Sequence, residues 1–433
     1  MRAIFTIISY NYLPLAWSLM DSIKQTNESD FDLFVVVADA KEEDLLSLKN
    51  EKDYKIEYLA GEEIFANEDF RLELAFKYDV TEFCTSLKPY TFLKLAEENK
   101  YDGIIYFDPD FIVYSDITNV FVKLQTKLCL VTPHYYNIEE SHSGYVSEKV
   151  ILFAGIFNFG FFAINPKHQN GIKLLKWWAN RLSDGAYHDK IDAYHTDQKW
   201  MDYLPTYFGE DVYIIRKPGY NLAIWNLHQR EIVKQDGKYL VHDIGSDKFE
   251  SLSFIHFAGF DYNNLEVVHK HYLDVSSNNF PALKELMQDY RIRLEKNGFE
   301  KHITIPYKYN SFENGKPVIK FHRRLYRVSL GDKRKYLNPF SCTENSFYAT
   351  LNSKKLLANN NPDKFNEQNY GSVGKKIKII NKLFNLAKSI LGFEKYALFI
   401  KFLARYTRFE NQYFLFKGSD TTQYINENRN QTG

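Results

Sequence analysis

The sequence predicts an α/β fold: a mostly parallel sheet flanked by helices, followed by a helical, basic C-terminal extension. Three observations predict it. Short apolar runs alternate with helical patterns from the first residues onward, and strand, helix, strand, helix implies a parallel sheet with right-handed crossovers. The continuous apolar run 104–107, bounded by Gly103 and Pro109, reads as a strand buried on both faces. The charge balance is uneven: 55 basic and 55 acidic side chains cancel overall, yet residues 374–417 carry ten Lys/Arg against two Glu.

Residues 3–8 form the first strand, and the polar turn Ser9-Tyr10-Asn11 leads to a helix opening near Pro14 and running to about Gln25. Residues 31–37 are a second strand ending at Asp39, 41–50 a polar helix, and 55–59 a third strand. Residues 65–94 are helical in pattern, with Lys88-Pro89 marking a fresh start just before the strand 104–107. Strands follow at 128–132 and 157–164, with Gly160 allowing close approach. Residues 171–182 form an amphipathic helix bearing Trp177 and Trp178, Thr196 or Asp197 caps a further helix, and strands at 212–215 and 254–257 complete the set.

This organisation divides the chain into a catalytic-looking domain, 1–270; a helical and basic extension, 271–337; an Asn/Ser-rich linker, 338–374; a basic amphipathic segment, 375–417; and a polar tail, 418–433. Three cysteines without C-x-x-C spacing argue against a disulfide framework or a structural zinc site, and a reducing cytoplasm fits. No apolar run approaches the roughly 18 residues of a spanning helix, and the N-terminal run is too short for a secretory signal. The basic segment, with Ile379, Leu383, Leu386 and Ile390 at helical spacing, suits either an anionic membrane surface or a packing helix with a solvated face. No base-reading motif accompanies the charge, so nucleic acid is not expected as a partner.

The chemistry concentrates where the strand 104–107 ends. Ligands of open α/β sheets sit beyond the carboxyl ends of the strands, and Asp108 and Asp110 stand there, two residues apart, with Pro109 stiffening the bend. Such a pair repels itself unless a cation intervenes, and hard oxygen ligands favour Mg²⁺ or Mn²⁺. His256 in its apolar strand is by itself a core histidine; beside a carboxylate pair it becomes a candidate third ligand, which suits Mn²⁺. Asp197-Gln198 is as well explained by a helix cap as by a site, and Asn158 within an apolar strand is unexplained.

Taken together, Asp108-Pro-Asp110, Phe157-Asn-Phe-Gly160, Asp197-Gln198, Pro218-Gly-Tyr-Asn221 and His256-Phe-Ala-Gly259 resemble, in this order, the glycogenin-like family-8 type glycosyltransferases of GT-A fold. The resemblance covers roughly residues 1–265. Trp177-Trp178, Asp197–Trp200, Gly219–His228 and His256–Phe260 also resemble bacterial polysaccharide-assembly glycosyltransferases.

That resemblance implies a metal-dependent transferase using a nucleotide-sugar, UDP-linked, with a glycan or lipid-linked glycan acceptor, working at the cytoplasmic face of the membrane. Asp108, Asp110 and His256 would bind Mn²⁺ or Mg²⁺. Thr6, Ser9, Tyr10 and Asn11 would hold nucleobase and ribose, Lys88 the sugar or phosphate, and Gly259 would let backbone N–H approach the phosphates. Asp108 would also reach the ribose, and Asn158, Asp197 and Gln198 would line the sugars, with Asp197 on the reacting face. Transfer would retain anomeric configuration through an oxocarbenium-like state.

The chain departs from the pattern in one place: Phe260-Asp-Tyr-Asn263 stands where glycogenin-like enzymes continue into Lys-Pro-Trp, leaving Lys270 or His228 to contact the leaving group. A phosphatase of the haloacid dehalogenase type also places Asp-x-Asp after a buried strand but wants Thr or Val at the position of Ile112. A catalytically silent glycan-binding or tethering module is the third reading.

Overall fold

The computed structural model describes residues 1–28, 31–97, 99–331, 336–360 and 370–417. The chain forms two compact units, one of residues 1–66 and 80–307, the other of 67–79 and those from 308 onward.

The first unit is built on a seven-stranded sheet of order β10-β6-β7-β4-β1-β2-β3. Its strands are β1 (Arg2–Ile8), β2 (Asp32–Val37), β3 (Glu57–Ala60), β4 (Gly103–Phe107), β6 (Cys129–Pro133), β7 (Phe157–Ile164) and β10 (Val212–Ile214). All neighbours are parallel except β7, which runs antiparallel to both β4 and β6. Every residue of β4 and β7 is buried, the burial on both faces that an apolar run without alternation demands. The mostly parallel, helix-flanked sheet is the α/β architecture expected.

Two local differences have simple causes. The polar helix expected at 41–50 is one turn, Glu42–Leu45, tightening into a 3-10 stretch, Leu46–Asn50. Only Leu45 and Leu48 are buried there, too little apolar surface to hold a longer helix. The helix expected after Asp197 is a 3-10 turn, Lys199–Tyr203, and neither Thr196 nor Asp197 caps it.

The short strand β5 (Phe111–Val113) leaves the main sheet and pairs antiparallel with β14 (Phe254–His256), in a register that sets His256 opposite Phe111. Phe257 N–H donates to the carbonyl of Asp110 at 2.9 Å, extending the pairing into the acidic turn. This pairing carries a histidine from far along the chain to the end of β4.

The boundary expected near residue 270 lies at 307. The helix Pro281–Lys296 buries Leu283, Leu286, Met287, Tyr290 and Leu294 against Leu222, Ile255 and Phe257, so its apolar face ties it to the first unit. Also unanticipated are the hairpin of β11 (Arg230–Gln235) with β12 (Lys238–Asp243), and that of β15 (Val267–His269) with β16 (Tyr272–Ser276).

In the second unit, Phe76 of the helix Glu68–Lys77 meets Phe312, Tyr326, Phe340 and Phe347 at ring separations of 4.9–5.8 Å. The stretch expected as a linker, 338–374, therefore supplies core. Phe340, Phe347 and Leu351 are buried, the last two on the helix Phe347–Ser353. Residues 361–369 of that stretch and the tail 418–433 lie outside the described residues.

Arg323, on the helix Lys320–Gly331, is buried and donates to the carbonyls of Ala75, Phe76, Tyr78 and Tyr309 at 2.7–3.0 Å. Arg323→Met is expected to leave those acceptors unsatisfied and to destabilise this unit by about 3 kcal/mol or more, read as a lower denaturant midpoint. An unchanged midpoint would show that the carbonyls find other donors.

Candidate active site

Four elements converge at the C-terminal end of β4. The turn after β4 supplies Asp108 and Asp110, β7 supplies Asn158, β14 supplies His256, and the segment after the two-residue pair β8 (His188–Asp189) and β9 (Tyr194–His195) supplies Asp197 and Gln198.

Asp108, Asp110 and His256 each point one ligand atom at the others, all within 4.8 Å. His256 Nε2 lies 3.1 Å from Asp110 Oδ1, while its Nδ1 lies 3.2 Å from Asn158 Oδ1. Asn158 Oδ1 also receives Asn221 Nδ2 at 3.1 Å and the Gly160 N–H at 3.3 Å, and Asn221 Nδ2 donates to Thr132 Oγ1 at 2.8 Å. An oxygen so occupied as an acceptor takes the proton of Nδ1, leaving Nε2 to face the carboxylate. That is the tautomer fixing by an outer partner that metal-ligating histidines use. Burial opposes the charge of Asp110, yet His256 in its protonated form and, less strongly, Lys270 hold its carboxyl below the usual range. A Cβ at Gly160 would lie 2.7–2.9 Å from His256, Phe111 and Asp108, so only glycine lets β7 pass this close to the cluster. Two carboxylates and an imidazole Nε2 facing one point fit a divalent ion with mixed nitrogen and oxygen ligands.

Lys88 opens the helix Lys88–Glu97 and is fully buried behind this cluster. Its Nζ reaches Asp197 Oδ2 at 3.0 Å, Asp108 Oδ1 at 3.4 Å and the Phe159 carbonyl at 2.9 Å. Lys88 thus donates to the Phe159 carbonyl and stands in ion-pair contact with two acids that come from different elements. Burial works against that charge, but Asp108 and Asp197 outweigh it and hold the ammonium above its usual range. Asp197 is raised by burial, with Asp108 adding and Lys88 opposing. Gln198 accepts from the Phe159 N–H and donates to the Ala154 carbonyl, both at 2.9 Å, so its amide ties β7 to the helix Glu148–Ala154.

At the end of β1, Thr6 is buried with no partner for its hydroxyl among the described residues. Ser9 donates to Asn11 Oδ1 at 2.6 Å, and the Tyr10 N–H donates to Asp39 Oδ1 at 2.8 Å. Gly259 has φ of +67°, and a Cβ there would overlap the His269 ring. The Lys270 N–H donates to the Gly259 carbonyl at 2.9 Å.

Sequence reasoning missed three participants. Asp39 lies in the turn just after β2 and is visible in the sequence only as a strand end. Asn221, at φ of +54°, stands in a turn whose Pro-Gly-Tyr-Asn composition explains its presence without a site, yet its side chain anchors Asn158. Tyr106 donates its hydroxyl to Asp108, a contact that no spacing announces.

The chain is that of an enzyme that transfers sugars, a glycosyltransferase. The chain belongs to glycosyl transferase family 8, whose family model matches residues 3–260, a span holding every site residue named from Thr6 to Gly259. It is similar to two uncharacterized proteins of Bacillus subtilis (strain 168). With YfnF it shares 25% identity over 295 residues, 66% of this chain and 89% of that protein. With YfnD it shares 26% over 263 residues, 59% of this chain and 76% of that one. Among solved structures it is similar to the apo glycosyltransferase GlyE of Streptococcus pneumoniae TIGR4, at 16% identity and a TM-score of 0.39, covering 72% of this chain and 66% of that one. It is also similar to the galactosyltransferase LgtC, at 14% identity and a TM-score of 0.40, covering 71% and 99%. Among the described residues, no helix is long and apolar enough to cross a membrane.

Proposed function

We propose that this glycosyltransferase moves a sugar from a UDP-linked nucleotide-sugar to a glycan or lipid-linked glycan during assembly of a bacterial surface polysaccharide, with retention. The observation that supports it best is the convergence of Asp108, Asp110 and His256 on one point. Those three would hold a divalent ion, Mn²⁺ ahead of Mg²⁺, which supplies Lewis-acid stabilisation of charge on the departing diphosphate.

The chain's own residues do the rest. Lys88 fixes Asp108 and Asp197 in place. Asn158, itself held by Asn221, orients His256. Thr6, with its unpaired buried hydroxyl, and the Ser9–Asn11 turn receive the nucleoside, and Gly259 offers its backbone to the phosphates. Asp197 and Gln198 line the sugar, with Asp197 facing the anomeric carbon as positive charge builds in the oxocarbenium-like state. Of the two candidates for the leaving-group contact, Lys270 is favoured, because its charge reaches Asp110 whereas His228 is committed to Glu139.

The test is release of UDP from a panel of UDP-sugars by the wild-type protein. Release with Mn²⁺ that stops on adding EDTA is the expected result. Metal-independent release would remove the ion from the reading, and no release with any nucleotide-sugar alongside tight glycan binding would replace transfer by tethering.

Membrane contact belongs to the same proposal. The helices Val373–Leu391 and Phe393–Tyr406 bury no residue, and Ile390 and Phe393 are 73% and 74% exposed among basic side chains. Anionic lipid complements such a face, each basic group adding about 1 kcal/mol near the surface. Co-sedimentation with phosphatidylserine-containing vesicles, and not with purely zwitterionic ones, is expected. Replacing Lys375, Lys376, Lys378 and Lys382 by Glu should weaken it at least tenfold. Equal binding by that variant would sink membrane contact and leave the transferase reading standing.

A further inference from the structure

A second cluster of metal-ligating side chains lies outside the site described above. Glu139 and His142, on the loop 134–147 that follows β6, face His228, on the turn before β11; one ligand atom from each lies within 4.8 Å of the others. The carboxylate stands between the rings, with Oε1 3.0 Å from His228 Nε2 and Oε2 3.9 Å from His142 Nδ1.

Each member is prepared as a ligand. His142 Nε2 lies 2.9 Å from the Val146 carbonyl, which can only accept, so Nε2 carries the proton and Nδ1 presents a lone pair to Glu139. The carboxylate is steadied from behind by Gln229 Nε2 and the Ser143 N–H, both at 2.8 Å. The His228 side chain is only 3% exposed, yet neither ring nitrogen has a well-formed hydrogen bond among the described residues. A buried imidazole held only by a close carboxylate, with no hydrogen bond at either nitrogen, is costly, and a cation between it and the carboxylate removes that cost. The chain also closes over the rings: a Cβ at Gly144 would lie 2.6–2.9 Å from atoms of His142 and His228.

We propose that Glu139, His142 and His228 bind a transition-metal ion of the zinc type, distinct from the ion of the Asp108 cluster. Two imidazoles and one carboxylate are a known zinc ligand set, and the two ring-to-carboxylate separations of 3.0 and 3.9 Å bracket the roughly 3.3 Å between neighbouring donors of a tetrahedral site. Hard-ion chemistry favours the two-carboxylate cluster, whereas an imidazole-rich set favours zinc, so the two sites select different metals. The ion pins the loop 134–147 to the turn bearing Trp225, whose ring lies 5.2 Å from that of His256. Its role is to hold one wall beside the candidate active site.

The test uses full-length protein stripped with chelator and dialysed against Zn²⁺. In the Asp108→Asn/Asp110→Asn background, which disables the other cluster, one equivalent of zinc is expected, and Co²⁺ should give the intense visible bands of a four-coordinate site with nitrogen ligands. Adding His142→Gln and His228→Gln should weaken zinc binding at least a hundredfold. Where that variant fails to fold, Glu139→Gln alone should weaken binding at least tenfold. Zinc binding unchanged by these substitutions, absence of zinc at micromolar concentration, or a weak octahedral Co²⁺ spectrum would each overturn the proposal.

Discussion

Lys88→Met is expected to reduce sugar transfer by about 10²–10³-fold, and to destabilise the first unit by about 3–5 kcal/mol. The ammonium stands between Asp108 Oδ1 and Asp197 Oδ2, and removing it leaves two acids facing each other in a buried site. One of them then takes up a proton or turns away, and neither is held where the donor needs it. Arginine does not rescue the variant, because a planar fork cannot occupy the place of a compact ammonium packed 4.5 Å from the Tyr106 ring centre. Stability and chemistry separate in the double variant Lys88→Met/Asp197→Asn, which should regain most of the lost stability but little of the activity. Calorimetry and UDP release on the same preparations decide it. Recovery of both together would make the Lys88 bridge purely structural.

Asp110→Asn is expected to lower transfer by about 10³-fold, with an unfolding midpoint close to that of the wild type. Its side chain is 27% exposed and faces His256, so deleting the charge removes a ligand without opening the core. The diagnostic is the metal dependence: the Mn²⁺ concentration for half-maximal rate should rise at least tenfold, whereas the Lys88 variant should shift it far less. A variant that keeps the wild-type Mn²⁺ requirement would show that Asp110 is no ligand.

Much of the fold was legible because the sheet is buried on both faces. A strand such as Phe157–Ile164 announces itself as an apolar run interrupted only by Asn158 and Gly160, and the structure returns those limits. The Asp108, Asp110 and His256 grouping was legible too, since polar residues in apolar strands need a reason. What stayed hidden was what three-dimensional pairing decides. Lys88 reads as a helix start, and nothing nearby in sequence shows that it will bridge acids from two other elements. The hairpins β11–β12 and β15–β16 are partly exposed and polar, so their alternation is weak. The stretch 338–374 looked like a linker on composition alone, although a few rings, Phe340 and Phe347 among them, suffice to anchor it.

The pairing of β5 with β14 has an evolutionary consequence. Because backbone hydrogen bonds bring Asp110 and His256 together, the long intervening chain is relieved of that duty. Lengthening or trimming its loops leaves the ladder intact, whereas a one-residue slip between the two strands would turn the imidazole to the opposite face. Lineages can therefore edit those loops between 114 and 253 that carry none of Asn158, Asp197, Gln198 and Asn221, while the two short strands keep Asp110 and His256 together.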